Sequence, residues 1–261
     1  IWHLKIGGRP NWGKMPAIID KIAAQREAGL DVGANIYPYA ASSTSLSTLA
    51  PDWAMEGGYD DFQKRLADPE DRAKIAETFR AQFARRGAKG IYVAQVFNEA
   101  HKAYEKKFIE EIAETMSTTV DEALIALFEA NRISPRVIYF SMNEEDVQHA
   151  LKQSWVSVGS DASAPGADMG RQNIAVHPRA YGTFPRVLGI YTREKKVISL
   201  EEAVRKMTSL NAAKVGLHDR GTLRKGAFAD ITIFNEARVI DKATYENPFQ
   251  YPEGIEYVVV N

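Results

Sequence analysis

Cysteine is absent from this 261-residue chain, which excludes disulfides. Compartment is left undecided by that absence, with the cytoplasm as the default expectation. No apolar run approaches the length that crosses a bilayer, and the opening residues, IWHLKIGGRPNWGK, lack both the charged start and the apolar centre of a signal peptide. No membrane partner is expected. Charge of one sign is lacking too: 33 lysines and arginines face 34 acids, and no block of five or six like charges occurs. That leaves no electrostatic footprint for nucleic acid. Repeats and low-complexity tracts are missing as well. So is an initiator methionine: the chain opens on Ile1 in IWHLK, which reads as a strand end, and closes on IEYVVVN, so a longer parent protein is expected.

What is present is an ordinary globular composition, 45% hydrophobic and 26% charged, long enough for one large domain or two modest ones. Short apolar runs alternate with helical ones, which predicts an α/β fold with parallel strands. Met15, Ile18, Ile19, Ile22 and Ala23 have the spacing of an amphipathic helix that Gly29 stops, and LDVGANIYPY (30–39) reads as a buried strand ending at Pro38. Residues 40–135 interrupt the rhythm. They hold the Ser/Thr-rich AASSTSLST, a long charged helix around 60–86, the strand candidate GIYVAQVF (90–97) and helices near 105–115 and 120–130, the second with a Thr119-x-x-Glu122 capping box. That is too long for a connection and predicts an inserted subdomain, a candidate lid.

RVIYFSM then resumes the parallel pattern, Asn143 caps a helix, and WVSVGSD is the next strand, followed by a long loop to about 184. Ser199-x-x-Glu202 opens another helix, NAAKVGL a further one ending near Gly216, and turns with short strands fill the remainder. The expected division is 1–39 barrel strands and helix, 40–135 insertion, 136–216 final barrel strands and helices, and 217–261 a small β portion.

The candidates for chemistry are few. Asp161 ends an apolar strand in SVGSDASAPG, where parallel barrels place catalytic groups and where turns equally use Gly, Ser and Asp. Of five histidines, His3 sits at a strand end before Lys5 and could meet a metal or simply pack. His101 and His149 fall in charged helical stretches and read as solvated; His218 lies beside a helix end. HPRAYGTFPRVLG (177–189) reads as a rigid loop loaded with the donors His177, Arg179, Tyr181 and Arg186, its arginines suited to a carboxylate or phosphate or to a surface ion pair. Tyr37 in YPY offers a hydroxyl donor or a packed ring.

Taken together, WHLKIGGRPNWGK, NIYPYAASST, IYFSMNEEDV, GSD, HPRAYGTFPRVLGIYTRE and LEEAVRKMTSLNAAKVGLHDRGTLRKGAFADITIFN resemble the D-aminoacylase (N-acyl-D-amino-acid deacylase) family of the amidohydrolase superfamily. The resemblance implies the later part of a metal-dependent (β/α)8 barrel, with an inserted α/β subdomain and a C-terminal portion of a β-sandwich. It implies zinc-dependent hydrolysis of N-acyl-D-amino acids. By the same resemblance His3 is a zinc ligand, with Trp2 where the family has serine. Asp161 takes a proton from the metal-bound water, and Arg179 holds the substrate carboxylate with Lys5 and Tyr37. The family's H-x-H pair, bridging ligand and other metal histidine precede this segment. Zinc is thus expected of the complete enzyme, and the N-terminal half is the expected partner. A cyclic amidohydrolase of the dihydroorotase or hydantoinase kind is the alternative, as is a non-catalytic fragment needing a complementary chain.

Overall fold

A computed structural model describes residues 1–87, 89–164, 166 and 177–261. The first helix, α1 (Met15–Glu27), buries Met15, Ile19 and Ile22, and β1 (Ala34–Ile36) follows it. β2 (Ser42–Ser45) leads into α2 (Asp52–Met55), α3 (Tyr59–Ala67) and α4 (Pro69–Arg86). The single helix expected over 60–86 is broken at Asp68, because Pro69 offers no N–H to the preceding turn and disfavours helical backbone in the residue before it. Asp68 instead caps α4, accepting from the Glu70 and Asp71 N–H groups at 3.0 Å each.

β3 (Ile91–Gln95), β4 (Lys107–Phe108), α5 (Ile109–Thr115), α6 (Val120–Ala130) and β5 (Arg136–Tyr139) come next. The capping box expected at Thr119 does not form: its side chain caps nothing, and Glu122 is drawn to Arg72 at 2.7 Å. One helix earlier, Glu111 reaches back to accept from the Phe108 N–H at 2.7 Å. The expectation for RVIYFSM is also corrected. β5 pairs antiparallel with both β2 and β3 in a four-stranded sheet ordered β2-β5-β3-β4, so this sheet runs past residue 135, where the interrupting stretch was expected to end. Val137, Ile138 and Tyr139 are all buried. A strand covered on both faces carries no alternation, so its apolar run does not reveal the direction in which it pairs. α3 to α6 pack a core on this sheet, where the fully buried Phe128 ring meets Phe62 edge-on at 5.0 Å and stacks on Phe79 at 5.5 Å.

After β5 come α7 (Glu144–Leu151), with Asn143 accepting from the Asp146 N–H at 2.8 Å, and β6 (Val156–Val158). β6 pairs in parallel with β1, from Ala34 opposite Val156 to Ile36 opposite Val158. Residues 1–4 flank the other side of β1: Asn35 donates to the Ile1 carbonyl at 3.1 Å and accepts from the Leu4 N–H at 2.8 Å. The stretch read as a rigid loop is helical. α8 (Arg179–Arg186) runs on into a π-helical segment, Val187–Glu194. Its prolines mislead a sequence reader because Pro178 stands at the cap, where no helical N–H is needed, and Pro185 lies where the α-helix gives way to wider turns.

α9 (Leu200–Met207) has the expected Ser199 cap, whose hydroxyl accepts from the Glu202 N–H at 3.3 Å, and α10 (Ser209–Lys214) ends just before Gly216. A second core joins α1, β1, α7, β6, the π-helical segment and α9, with Val156 and Tyr191 fully buried. β7 (Ile231–Phe234) and β8 (Ile255–Val259) form an antiparallel pair whose Ile233, Tyr257 and Val258 side chains stay more than half exposed. The loop after residues 1–4 is fastened from far along the chain. The Ser141 carbonyl accepts from the Gly8 N–H (2.8 Å) and Trp12 Nε1–H (2.9 Å), and the Asp146 carboxylate from the Gly13 (2.9 Å) and Met15 (3.1 Å) N–H groups. Among the described residues no helix is long and apolar enough to cross a membrane.

Candidate active site at the strand ends

Because β1 and β6 are parallel, the residues that follow them emerge at the same end of the pair. Tyr37 follows β1 and is buried; Asp161 lies just past β6 with φ +48°, a left-handed conformation that aspartate tolerates. The Arg179 guanidinium lies 4.6 Å from the centre of the Tyr37 ring and the Lys5 ammonium 5.5 Å from it. Asp161 Oδ2 is 3.0 Å from Arg179 Nη1, and Lys5 Nζ is 2.5 Å from His3 Nδ1. The five residues singled out in the sequence therefore form one connected group around Tyr37.

The balance of charge in that group favours an anion: Lys5 and Arg179 face a single carboxylate. The Arg179 side chain is only 8% exposed, yet its Nε and Nη1 and the Tyr37 hydroxyl find no aligned hydrogen-bond partner among the described residues. Asp161 is thus a charge partner of Arg179 without a directed hydrogen bond. Leaving such donors unpaired costs about 1–3 kcal/mol each, which an incoming acceptor would recover. Burial pushes the Tyr37 hydroxyl up to about 12 against the pull of Arg179, so it stays a donor at neutral pH. Burial also lowers the Lys5 pKa; Asp161 opposes the fall and Arg179 adds to it.

Behind Arg179 stands a layer whose His177 and Arg186 the sequence offered as donors of the same stretch, but without their partners. His177 is 3% exposed; its Nδ1 accepts from the Arg179 N–H at 3.0 Å, and Nε2–H donates to the Ala41 carbonyl at 3.1 Å. Tyr39 and Tyr245 meet its ring edge-on at 5.1 and 5.2 Å. Arg186 donates to the Pro38 carbonyl at 2.9 Å, pairs with Asp241 at 3.1 Å and covers the Tyr39 ring. Gly182 is needed here, since a Cβ would come within 2.3 Å of the Tyr39 hydroxyl. The available signal was an imidazole two residues before the helix-opening arginine, the spacing at which Asn and Asp cap. The remaining histidines lie outside this group. His149 and His218 are exposed, whereas His101, read as solvated, has a buried Nδ1 and packs edge-on against Tyr104, so burial lowers its pKa.

A metal does not fit these residues as they stand. Among the described residues no three His, Cys, Asp or Glu side chains are grouped to hold an ion. With His3 Nδ1 accepting from the Lys5 ammonium, the ring proton sits on Nε2, the wrong tautomer for ligation through that nitrogen.

Parallel strands followed by a tyrosine and a carboxylate, with a buried arginine from the start of α8 beside them, make this an α/β protein with a charged cluster at its strand ends. The chain belongs to the amidohydrolase family, whose family model matches residues 17–261. It is 34% identical over 260 residues to an N-acyl-D-glutamate deacylase of Alcaligenes xylosoxydans xylosoxydans, covering 99% of this chain and 43% of that protein. A D-aminoacylase of the same organism is 33% identical over 261 residues, covering 100% and 44%. Among solved structures, the N-acyl-D-glutamate deacylase of Bordetella bronchiseptica, complexed with zinc and a phosphonate mimic of the tetrahedral intermediate, superposes with a TM-score of 0.74 at 29% identity. That match covers 100% of this chain and 45% of the other. A crystal structure of D-aminoacylase gives 0.73 at 31%, covering 100% and 44%. The chain spans under half the length of these relatives.

Proposed function

We propose that this chain is the C-terminal part of an enzyme that hydrolyses the amide bond of N-acyl-D-amino acids to a carboxylate and a D-amino acid. The observation that carries the proposal is the convergence of Lys5, Tyr37, Asp161 and Arg179, with Nε and Nη1 of the buried guanidinium lacking an aligned hydrogen-bond partner among the described residues. Arg179 and Lys5 hold the substrate α-carboxylate and the protonated Tyr37 hydroxyl donates to it, which fixes the scissile amide and lowers the entropic part of the barrier. Asp161 takes the proton of the attacking water and returns it to the leaving amine. In this proposal zinc belongs to the assembled enzyme. His3 would be one ligand only with its Nδ1 free of Lys5, and the N-terminal half would have to supply the others. β1 and β6 are then strands of a (β/α)8 barrel, residues from about 40 to β5 an insertion, and β7 and β8 part of a β-sandwich.

Asp161→Asn in the full-length protein is the test. Turnover of an N-acyl-D-amino acid should fall by about 10²–10⁴-fold with zinc content unchanged. Undiminished turnover would reject the role of Asp161.

A further inference from the structure

We propose that His177 is a positioning residue for the substrate-carboxylate clamp: its imidazole, anchored on Ala41, sets where α8 begins and hence where the Arg179 guanidinium points. This rests on the function proposed above. The first amides of a helix have no partner within it, and α8 has none from its cap residue, since Pro178 makes no side-chain cap hydrogen bond. His177 fills the gap. Its Nδ1 hangs from Cγ as an asparagine Oδ1 would, and it takes the N–H of Arg179 itself. The opposite ring nitrogen donates to Ala41, the residue before β2, so the ring ties the clamp to the start of the antiparallel sheet. Tyr37, Tyr39 and Tyr245 box the ring on its faces and edges.

Both hydrogen bonds require a neutral imidazole with its proton on Nε2. The charged groups nearest it, Arg179 and Arg186, are cations, and burial together with their charge keeps its pKa down at about 3. His177 therefore acts through geometry and transfers no proton to substrate.

The test compares His177→Ala, His177→Asn and His177→Gln in the full-length holoenzyme. Asparagine can still accept from the Arg179 N–H; glutamine extends toward Ala41 and cannot. With His177→Ala, KM for an N-acetyl-D-amino acid should rise by about 10–100-fold at nearly unchanged kcat, while the decarboxylated N-acetyl amine is processed as before. Asparagine should restore KM and glutamine should not. Equal losses on both substrates, or rescue by glutamine as good as by asparagine, would overturn the proposal. Should the unsubstituted holoenzyme turn over neither compound, the functional reading fails by itself. Acetate binding, followed at the Arg179 side-chain NMR resonances, then decides the positioning role: it should weaken by about 10-fold in His177→Ala and recover in His177→Asn, and unaltered binding in His177→Ala would overturn it.

Discussion

The antiparallel sheet under α3 to α6 and the parallel pair β1–β6 bury their apolar side chains in different ways. The first has four strands, helices over one face and a core of phenylalanines at or near zero exposure, so it is closed within this chain. Among the described residues the second has two paired strands, although parallel sheets ordinarily need more strands and cover on both faces. Yet the site residues ride on the second. The closed body buries its apolar side chains within the chain, and the candidate site of the proposed function lies on the open one.

The sharpest way to break that contrast is Phe128→Ala. Removing a fully buried ring in contact with Phe62 and Phe79 should cost about 3–5 kcal/mol. Hydrogen exchange should quicken at Ile91–Gln95 and Arg136–Tyr139 and remain unchanged at Ala34–Ile36 and Val156–Val158. Quickening in both sheets alike would mean that the two cores unfold as one. Acid should act where the start of α8 is tied to the antiparallel sheet, at His177. His177 binds its proton near pH 6.5 in the unfolded chain and only near pH 3 when folded, so its contribution is complete above about 6.5 and is lost as pH falls toward 3. The loss by pH 3 is on the order of 4 kcal/mol, and His177→Asn should flatten that part of the stability curve measured by urea unfolding. An unaltered slope in the variant would place the acid sensitivity elsewhere. The smallest effect concerns the caps. Asp68→Ala in the closed body and Ser199→Ala in the open one should each cost about 1 kcal/mol in urea titrations, and the double variant should show the simple sum. Coupling between them would contradict the separation.

Features set by neighbours in sequence were legible. Asn143 and Ser199 cap the helices expected of them, because a cap is a contact across three residues. Features set by distant partners were not. Thr119 and Glu122 have the right spacing for a box, but Arg72, fifty residues earlier, claims the glutamate. β5 carries no mark of its antiparallel neighbours, and α8 hides behind two prolines whose placement only its cap and its π-helical continuation make tolerable. At the site, His3, Lys5, Tyr37, Asp161 and Arg179 could be gathered by residue type and strand-end position, aided by family resemblance. His177 was legible as a donor of the same stretch, but its anchor was not, since Ala41 lies 136 residues away.

The fastening of residues 7–15 by Ser141 and Asp146 has a temporal consequence. The carbonyl and carboxylate that lock the loop following His3 and Lys5 are made more than 120 residues after it, behind the whole antiparallel body. Contacts of such long sequence separation form late. The loop beside His3 and Lys5 can therefore be locked only after the residues of the antiparallel sheet have been made.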